Sequence, residues 1–387
     1  MAINRKLNLP ELLRKKSFFL LGPRSTGKST LIRKQLGDTT FIVDLLDGQT
    51  FLRLSADPSL LEEISAEPVR AGKIITIDEI QKAPALLDQV HRMIESQRAR
   101  FLLTGSSARK LRTGAANLLA GRAWEAQLFP LTWDEITGGG KEKFDLDRYL
   151  RFGGLPQVWL GAEPAEELSA YVHTYLQEEI QAEGIVRKLP QFSRFLKVAG
   201  LTNTGLLNFS KIASDTGAPA STVREYYSIL TDTLLGFMLE PWQESKKRKA
   251  IQTAKFYFFD TGVTHTLCGT KVIDRNSNLW GESFEHFVGM ELRAWVSYQR
   301  ITTPLRFWRA TGGQEVDFLV DDTLAVEVKA SSKVGRADLK GLRAIKEEGV
   351  FKHLVCVSMD RLDRHSDGIS CLHWSTFLER LWAGEFR

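Results

Sequence analysis

The segment Gly22–Ser29, with the sequence GPRSTGKS, constrains the fold of this 387-residue chain more than any other feature. A short apolar run, Ser17–Leu21, leads into it, and helical character continues through Leu36. Glycines in this context let backbone N–H groups curl around phosphate oxygens, and the start of the helix adds its positive dipole end. The segment is therefore predicted to be a phosphate-binding loop in a doubly wound α/β domain.

The predicted ligands of this loop are ATP and Mg²⁺. Lys28 is expected to reach the β and γ phosphates, and Ser29 to offer its hydroxyl to Mg²⁺. The loop residues predicted to contact the nucleotide are Gly22, Pro23, Arg24, Ser25, Thr26, Gly27, Lys28, Ser29 and Thr30.

A second acidic motif follows about fifty residues later, where the apolar run Lys73–Ile77 ends in Asp78 and Glu79. Continuous β-branched runs are typical of buried parallel strands, and ligands bind at the carboxyl ends of such strands. This is a Walker B arrangement: Asp78 is expected to hold Mg²⁺ through its water shell, and Glu79 to act as the base towards the attacking water. The alternative is that the two carboxylates cap a following helix.

Two further strands complete a minimum of four. Phe41–Asp44 is one, and Arg100–Thr104 is the other, ending in Gly105-Ser106-Ser107. The second places a small polar side chain, Thr104 or Ser106, beside the γ-phosphate.

The chain from Gly22 to Leu131 resembles the AAA-type ATPases of the AAA_14 family, whose members carry a C-terminal domain of unassigned function, DUF4143. The motifs that carry the resemblance are Gly22–Ser29, Ile77–Lys82, Leu103–Ser107, Leu119–Arg122 and Phe129–Leu131. The resemblance implies a sensor at Thr104 or Ser106, and it implies that Arg122 contacts the nucleotide, with Arg24 and Arg109 as rivals. If Arg122 is a finger offered to a neighbouring subunit, a homo-oligomeric ring follows.

The chain is longer than single hydrophobic cores usually grow, so more than one domain is expected. We predict an ATPase domain over residues 1–144, a helical lid and winged-helix-like domain over 145–260, and a nuclease-like α/β domain over 261–387.

The middle domain contains a helix-turn-helix pattern within Phe209–Leu230, with the turn at Thr216–Pro219. Two predicted strands follow, joined by a loop that carries the basic run Lys246–Lys249, and the whole resembles a winged helix. The residues predicted to meet DNA phosphates are Thr222, Arg224, Lys246, Lys247, Arg248 and Lys249. A lid or a protein-binding module is the alternative for this domain.

The C-terminal segment Gln314–Lys329 is predicted to form two strands around a turn, which brings Asp317, Glu327 and Lys329 together. A preceding helix adds Glu285. The arrangement resembles the core of PD-(D/E)xK nucleases, which implies Mg²⁺ on Asp317 and Glu327, Lys329 near the nucleophile and Glu285 completing the site. The alternative is a relative that binds or dimerises without cutting.

The net charge, the apolar runs and the cysteine spacing narrow the class of protein to which the chain can belong. The net charge of +5 permits an acidic partner without requiring one. No apolar run reaches the roughly 20 residues that cross a bilayer, and the sequence shows no secretory signal, so a cytoplasmic protein without membrane contact is expected. The widely spaced cysteines Cys268, Cys356 and Cys371 are expected to be reduced thiols.

These features lead to a first hypothesis, an ATP-hydrolysing protein that binds and remodels DNA with a nuclease-like C-terminal domain. The second is a nucleotide-controlled switch that acts on protein partners without nucleic acid. The third is a metal-dependent nuclease in which the ATPase only regulates.

Overall fold

A computed structural model describes residues 3–107, 119, 121–140, 142–176 and 189–387. Arg109 lies outside the described residues. The chain divides into two compact units. The N-terminal unit comprises Arg5–Phe129 with Asp232–Leu235, and the C-terminal unit comprises Pro130–Thr231 and Gly236–Arg387 together with the first residues of the chain. The predicted boundary between residues 260 and 261 falls inside the C-terminal unit; the three-domain division stays a prediction.

The N-terminal unit is built on a parallel five-stranded sheet with the order β2-β3-β4-β1-β5. Its strands are β1 (Ser17–Leu21), β2 (Thr40–Asp44), β3 (Ile74–Asp78), β4 (Phe101–Gly105) and β5 (Ala123–Gln127). The described helices of this unit are α1 (Leu9–Lys15), α2 (Lys28–Leu36), α3 (Gly48–Ala56), α4 (Leu60–Arg70) and α5 (Leu86–Gln97), with 3-10 turns at Gly37–Thr39 and Ile80–Lys82. The predicted α/β fold with a parallel sheet is confirmed.

The order of the strands positions the nucleotide loop. Strand β1 lies between β4 and β5, and β4 lies next to β3, so the carboxyl ends of β1, β3 and β4 are neighbours. The apolar side chains of β4 are fully buried, as are Ile75 and Ile77 of β3. Leu234, from the short distal segment of this unit, completes the same core.

The C-terminal unit contains a mixed eight-stranded sheet with the order β12-β13-β11-β10-β9-β8-β6-β7. Its strands are β6 (Gly236–Pro241), β7 (Lys255–Phe258), β8 (Arg306–Arg309), β9 (Glu315–Val320), β10 (Leu324–Lys329), β11 (His353–Ser358), β12 (Arg364–Ser366) and β13 (Ile369–His373). Its described helices are α6 (Trp133–Thr137), α7 (Leu146–Phe152), α8 (Pro156–Leu160), α9 (Pro164–Ala170), α10 (Leu189–Leu201), α11 (Phe209–Thr216), α12 (Ala220–Asp232), α13 (Thr261–Cys268), α14 (Asn278–Tyr298), α15 (Lys340–Lys346) and α16 (Trp374–Trp382), with a π-helical turn at Tyr171–Leu176 and a 3-10 turn at Ala337–Leu339.

The helix-turn-helix has the predicted layout. Helix α11 ends at Thr216 and is capped by Gly217, whose φ of 64° places it in the left-handed region that glycine adopts without a side-chain penalty. Helix α12 follows directly and buries Val223, Tyr226 and Tyr227 on its inner face.

The two strands after this motif are predicted to form the wing of a winged helix, and the structure adds a further pairing to them. Strands β6 and β7 pair antiparallel, as a wing hairpin would. However, β6 also pairs in parallel with β8 through Glu240 and Pro241, which extends the C-terminal sheet. The hairpin is therefore the edge of that sheet, because β7 ends the strand order.

Among the described residues, no helix combines the length and the apolar character that crossing a membrane requires.

Candidate active site

The loop after β1 has the backbone shape of a phosphate cradle. Ser25 and Gly27 have φ values of 62° and 91°, which turn successive N–H groups towards one side of the loop. A Cβ at Gly22 would lie 2.5 Å from the carbonyl oxygen of Leu128, so only glycine fits there. The glycines that the sequence places at each end of the loop account for the close approach at Gly22 and for the positive φ of Gly27.

Lys28 begins helix α2 and folds back over the loop. Its Nζ donates to the carbonyl oxygens of Gly22, at 2.7 Å, and Pro23, at 3.1 Å. The Thr26 hydroxyl also donates to Pro23, at 2.8 Å. The ammonium group and the curled backbone thus line the same small space, and this arrangement fits a nucleotide phosphate chain. Of the other predicted loop residues, Arg24 is half-buried, and Ser29 and Thr30 are exposed in the first turn of α2.

Arg5 stabilises the phosphate loop through two hydrogen bonds and was not among the predicted site residues. Its guanidinium donates to the carbonyl oxygens of Thr26, at 2.7 Å, and Phe129, at 2.5 Å. An arginine this far from the motif in sequence gives no local signal, so only the folded chain identifies it.

Ser29 and Asp78, the predicted Mg²⁺ ligands, are brought together at the ends of α2 and β3. The Ser29 hydroxyl donates to Asp78 Oδ2 at 3.1 Å, and the Thr104 hydroxyl donates to Asp78 Oδ1. A hydroxyl beside a carboxylate matches the oxygen ligands that Mg²⁺ prefers. The residues therefore fit this ion.

Glu79 has a φ of 60°, an uncommon conformation for a residue other than glycine. Its backbone N–H donates to Thr104 Oγ1 at 3.1 Å. Its carboxylate, almost fully buried, accepts hydrogen bonds from Gln81 Nε2 and from the Ser106 hydroxyl at 3.3 Å. Non-glycine residues in such conformations persist where surrounding contacts hold them, as they do in many active sites. Both predicted sensor residues, Thr104 and Ser106, therefore contact the Walker B residues.

Gln81 is a positioning residue that the sequence reasoning missed. Its Nε2 also donates to Ser106 Oγ at 3.1 Å, so it links the ends of β3 and β4. We expect Gln81→Ala to lower ATP turnover by about tenfold to a hundredfold, since a hydrogen bond to a charged group contributes about 1.5–3 kcal/mol. Nucleotide affinity should stay unchanged, because the side chain of Gln81 bonds to Glu79 and Ser106 and not to the phosphate loop.

The measurement is phosphate release at saturating ATP, beside a titration with a fluorescent nucleotide. Gln89→Ala is the matched control, since Gln89 is also a buried glutamine of this unit but lies on α5. Equal turnover in the two variants would contradict the assigned role of Gln81.

Arg122 lies beside the start of β5 and is bound by an acidic side chain. Its Nε donates to Glu95 Oε1 at 2.5 Å, and the two side chains are 36% and 55% exposed. The arginine is therefore at the surface of the N-terminal unit, where a phosphate must compete with Glu95 for it.

The basic loop between β6 and β7 is held in place by hydrogen bonds to a glutamate. Glu348, just beyond α15, accepts hydrogen bonds from the Ser245 hydroxyl at 2.8 Å and from the N–H of Lys246 at 2.9 Å. The side chains of Lys246, Lys247 and Lys249 are exposed.

Arg248 differs from the three lysines of this loop. Its guanidinium pairs with Glu347 at 2.8 Å and donates to the carbonyl oxygen of Ala344 at 3.0 Å. It anchors the loop to α15. On α12, Thr222 is half-buried, and the exposed Arg224 lies 4.1 Å above the ring of Phe209.

The four residues predicted for a nuclease-like centre come together in the C-terminal unit. Asp317 and Glu327 lie on the neighbouring strands β9 and β10, and Asp317 Oδ2 accepts the N–H of Val328 at 2.8 Å. Lys329 pairs with Glu327. Burial, together with Glu285 on α14, raises the pKa of Asp317 to about 7, against the opposing effect of Lys255 and Lys329.

The structure adds three residues to this cluster that the sequence reasoning missed: Lys255, Tyr257 and Glu315. Lys255 Nζ lies 2.7 Å from Glu315 and 3.3 Å from Glu285. The Tyr257 hydroxyl donates to Glu285 at 2.5 Å. In the described parts of the chain, no group of three or more His, Cys, Asp or Glu side chains is placed to hold a metal ion.

The phosphate loop, the acidic strand end and the parallel sheet define a P-loop ATPase of the AAA type. Comparison with family models agrees: residues 14–137 match an AAA domain, AAA_14, and residues 280–377 match a domain of unknown function, DUF4143. The chain belongs to the AAA-type ATPases that combine these two domains. Residues 143–274 match a further domain of unknown function, DUF8612, which the sequence reasoning did not name.

An uncharacterized protein of Haemophilus influenzae is 25% identical over 209 residues, which are 50% of this chain and 52% of the relative. The chain thus aligns with about half the length of this curated relative.

Solved structures with a similar arrangement include two proteins of Aeropyrum pernix. The ORC2 protein, in ADPNP and ADP complexes, is 13% identical, with 68% of this chain and 89% of that chain covered at a TM-score of 0.40. The ORC1 protein in complex with DNA is 14% identical, with 70% and 93% covered at a TM-score of 0.30. These scores are too low to carry a functional argument.

Proposed function

We propose that this chain hydrolyses ATP with Mg²⁺ and uses the nucleotide cycle to bind and remodel DNA. The observation that carries the ATPase part is the network around Glu79, which holds a buried carboxylate at the strand end next to the phosphate loop. In this proposal Lys28 binds the β and γ phosphates, and Glu79 accepts the proton of the attacking water.

Ser29 and Asp78 would hold Mg²⁺, which when bound neutralises charge on the phosphate oxygens. Thr104 holds Asp78 and Glu79 in position relative to each other, since its hydroxyl contacts both residues. Ser106 donates a hydrogen bond to the carboxylate of Glu79, so it is positioned to respond to the protonation state of Glu79.

Arg122 is proposed as the cation that stabilises charge on the γ-phosphate. In that role it would leave Glu95 for a phosphate of its own or a neighbouring subunit. A homo-oligomeric ring is the assembly that contact with a neighbour requires. A strictly monomeric protein with full ATPase activity would contradict the ring.

The proposed DNA contact is the basic loop with helix α12. Glu348 fixes the backbone of the loop, so Lys246, Lys247 and Lys249 project from an anchored segment. Clustered exposed lysines bind nucleic acid through phosphate contacts and counterion release. Arg248 is assigned instead to anchoring the loop, because Glu347 already pairs with it.

The test is duplex affinity, measured by fluorescence anisotropy at salt concentrations from about 50 to 200 mM. We expect affinity to fall steeply with salt. Replacing Lys246, Lys247 and Lys249 by Gln should weaken binding and reduce the log–log slope by about three, about one for each lost phosphate contact.

A matched control removes the same amount of charge elsewhere, with Arg33, Arg53 and Arg70, all exposed on the N-terminal unit, replaced by Gln. This variant should keep the original slope. Weak, salt-insensitive binding by the unaltered protein would instead favour a nucleotide-controlled switch acting on protein partners.

A further inference from the structure

The carboxylate cluster of the C-terminal unit is organised around a lysine. Lys255 begins strand β7, and its side chain is 6% exposed. Its Nζ lies 2.7 Å from Glu315 Oε1, 3.3 Å from Glu285 Oε1 and 4.0 Å from Asp317 Oδ1. One ammonium group thus faces carboxylates from helix α14 and from strand β9, which β8 and β6 separate from β7 in the strand order.

The charge state of Lys255 is fixed by this environment. Burial lowers the pKa of a lysine, but Glu285, Asp317 and Glu315 outweigh burial here and raise the pKa of Lys255 above its usual value. The ring of Phe307 lies 5.2 Å from Nζ and closes another side of the pocket. The ammonium group of Lys255 is therefore enclosed by three carboxylates and an aromatic ring.

Each carboxylate of the cluster has at least one partner, although Glu327 Oε2 is buried without a hydrogen-bond partner among the described residues. Glu285 Oε1 accepts the Tyr257 hydroxyl at 2.5 Å as well as facing Lys255. Asp317 Oδ2 accepts a backbone N–H at 2.8 Å. Glu315 Oε2 pairs with Arg309 at 3.2 Å.

Glu327 also has a cationic partner, since one of its oxygens pairs with Lys329. A divalent ion needs several oxygens at about 2.0–2.6 Å, free of competing cations. The residues of this cluster do not fit such an ion, and the described residues contain no group of ligands arranged for one.

We propose that Lys255 occupies the place of a divalent cation in this cluster, so that an internal ammonium group holds the carboxylates together and the domain does not cleave nucleic acid. The cluster then ties β7 to α14 and β9. This inference is independent of the ATPase and DNA-binding proposals, because none of its residues belongs to the phosphate loop or the basic loop.

Mn²⁺ is the probe for this proposal, since binding quenches the electron paramagnetic resonance signal of the free ion. Full-length protein carrying Asp78→Asn is used without nucleotide, which removes the proposed metal ligand of the ATPase site. With Lys255 present, we expect no Mn²⁺ uptake at the cluster. Lys255→Met should gain uptake of a single Mn²⁺ per chain, and adding Asp317→Asn should abolish it.

Lys329→Met is the matched control, because it removes a lysine from the same cluster but leaves Lys255 in place; it should gain no Mn²⁺. Saturable binding by the Lys255 protein that Asp317→Asn removes would overturn the proposal. So would a folded Lys255→Met variant that takes up no Mn²⁺.

A cleavage assay tests the proposal first on the unaltered protein. Supercoiled plasmid is incubated with the unaltered protein and Mg²⁺ or Mn²⁺. The proposal predicts intact plasmid. Nicking that Asp317→Asn abolishes and Lys28→Ala leaves in place would overturn it and favour a metal-dependent nuclease regulated by its ATPase.

Discussion

Glu79→Gln is expected to lower ATP turnover by about 10²–10⁴-fold while ATP affinity is retained. Glutamine keeps the size of the side chain and can still accept the hydrogen bonds that Gln81 and Ser106 donate. It cannot accept the proton of the attacking water. The substitution therefore removes the chemistry of the base without dismantling the site.

Phosphate release at saturating ATP measures this loss, and a fluorescent nucleotide measures the retained affinity. Glu63→Gln is the control, since Glu63 is an exposed carboxylate on α4 of the same unit. Lys28→Ala provides the contrast: it should lose affinity, because Lys28 lines the phosphate cradle. Turnover by Glu79→Gln at the original rate would show that Glu79 is not the base.

Lys255→Met is expected to lower the free energy of unfolding by about 3–5 kcal/mol. Methionine is close to lysine in length and keeps the packing of the stem. It leaves Glu285, Glu315 and Asp317 without their shared counterion in a buried place. Breaking a buried ion pair from one side is costly because the remaining charge has lost its compensation.

Urea unfolding followed by the tryptophan fluorescence of the C-terminal unit measures the change. Lys333→Met, at an exposed lysine, should shift the free energy by less than about 0.5 kcal/mol. Adding Glu315→Gln to Lys255→Met should recover part of the loss, since it lowers the repulsion among the carboxylates that shared Lys255. A Lys255→Met variant as stable as the original protein would show that the cluster does not depend on its ammonium group.

Local patterns in the sequence were sufficient to predict much of the fold of the N-terminal unit. The loop Gly22–Ser29 and the strand ending in Asp78 are continuous segments, and glycine positions and buried β-branched runs identify them directly. Strand β5 was harder to detect, because Trp124 and Glu125 are exposed at the sheet edge and give no apolar run.

Contacts between distant residues account for what the sequence did not show. The pairing of β6 with β8 joins Glu240 to Arg306, and nothing local distinguishes that edge from an independent wing. Lys255 was placed in a wing strand for the same reason, although it faces Asp317 on another strand. A lysine next to aromatic residues looks like an ordinary strand residue until the sheet is assembled.

The role of Gln81 shows a similar limit at shorter range. Gln81 lies within the motif Ile77–Lys82, but the motif predicts no function for it, since a glutamine after two carboxylates fits many surface turns. The 3-10 turn at Ile80–Lys82 buries it against Ser106. The left-handed conformation of Glu79 accompanies this turn, and no residue type in the motif predicts that conformation.

The most direct test of the account is ATP turnover measured with and without a panel of duplex, single-stranded and branched DNAs, using Glu79→Gln as the control. We predict that at least one DNA form stimulates ATP turnover and that the stimulation disappears in Glu79→Gln. Turnover that is the same with every DNA would contradict the coupling of this ATPase to nucleic acid.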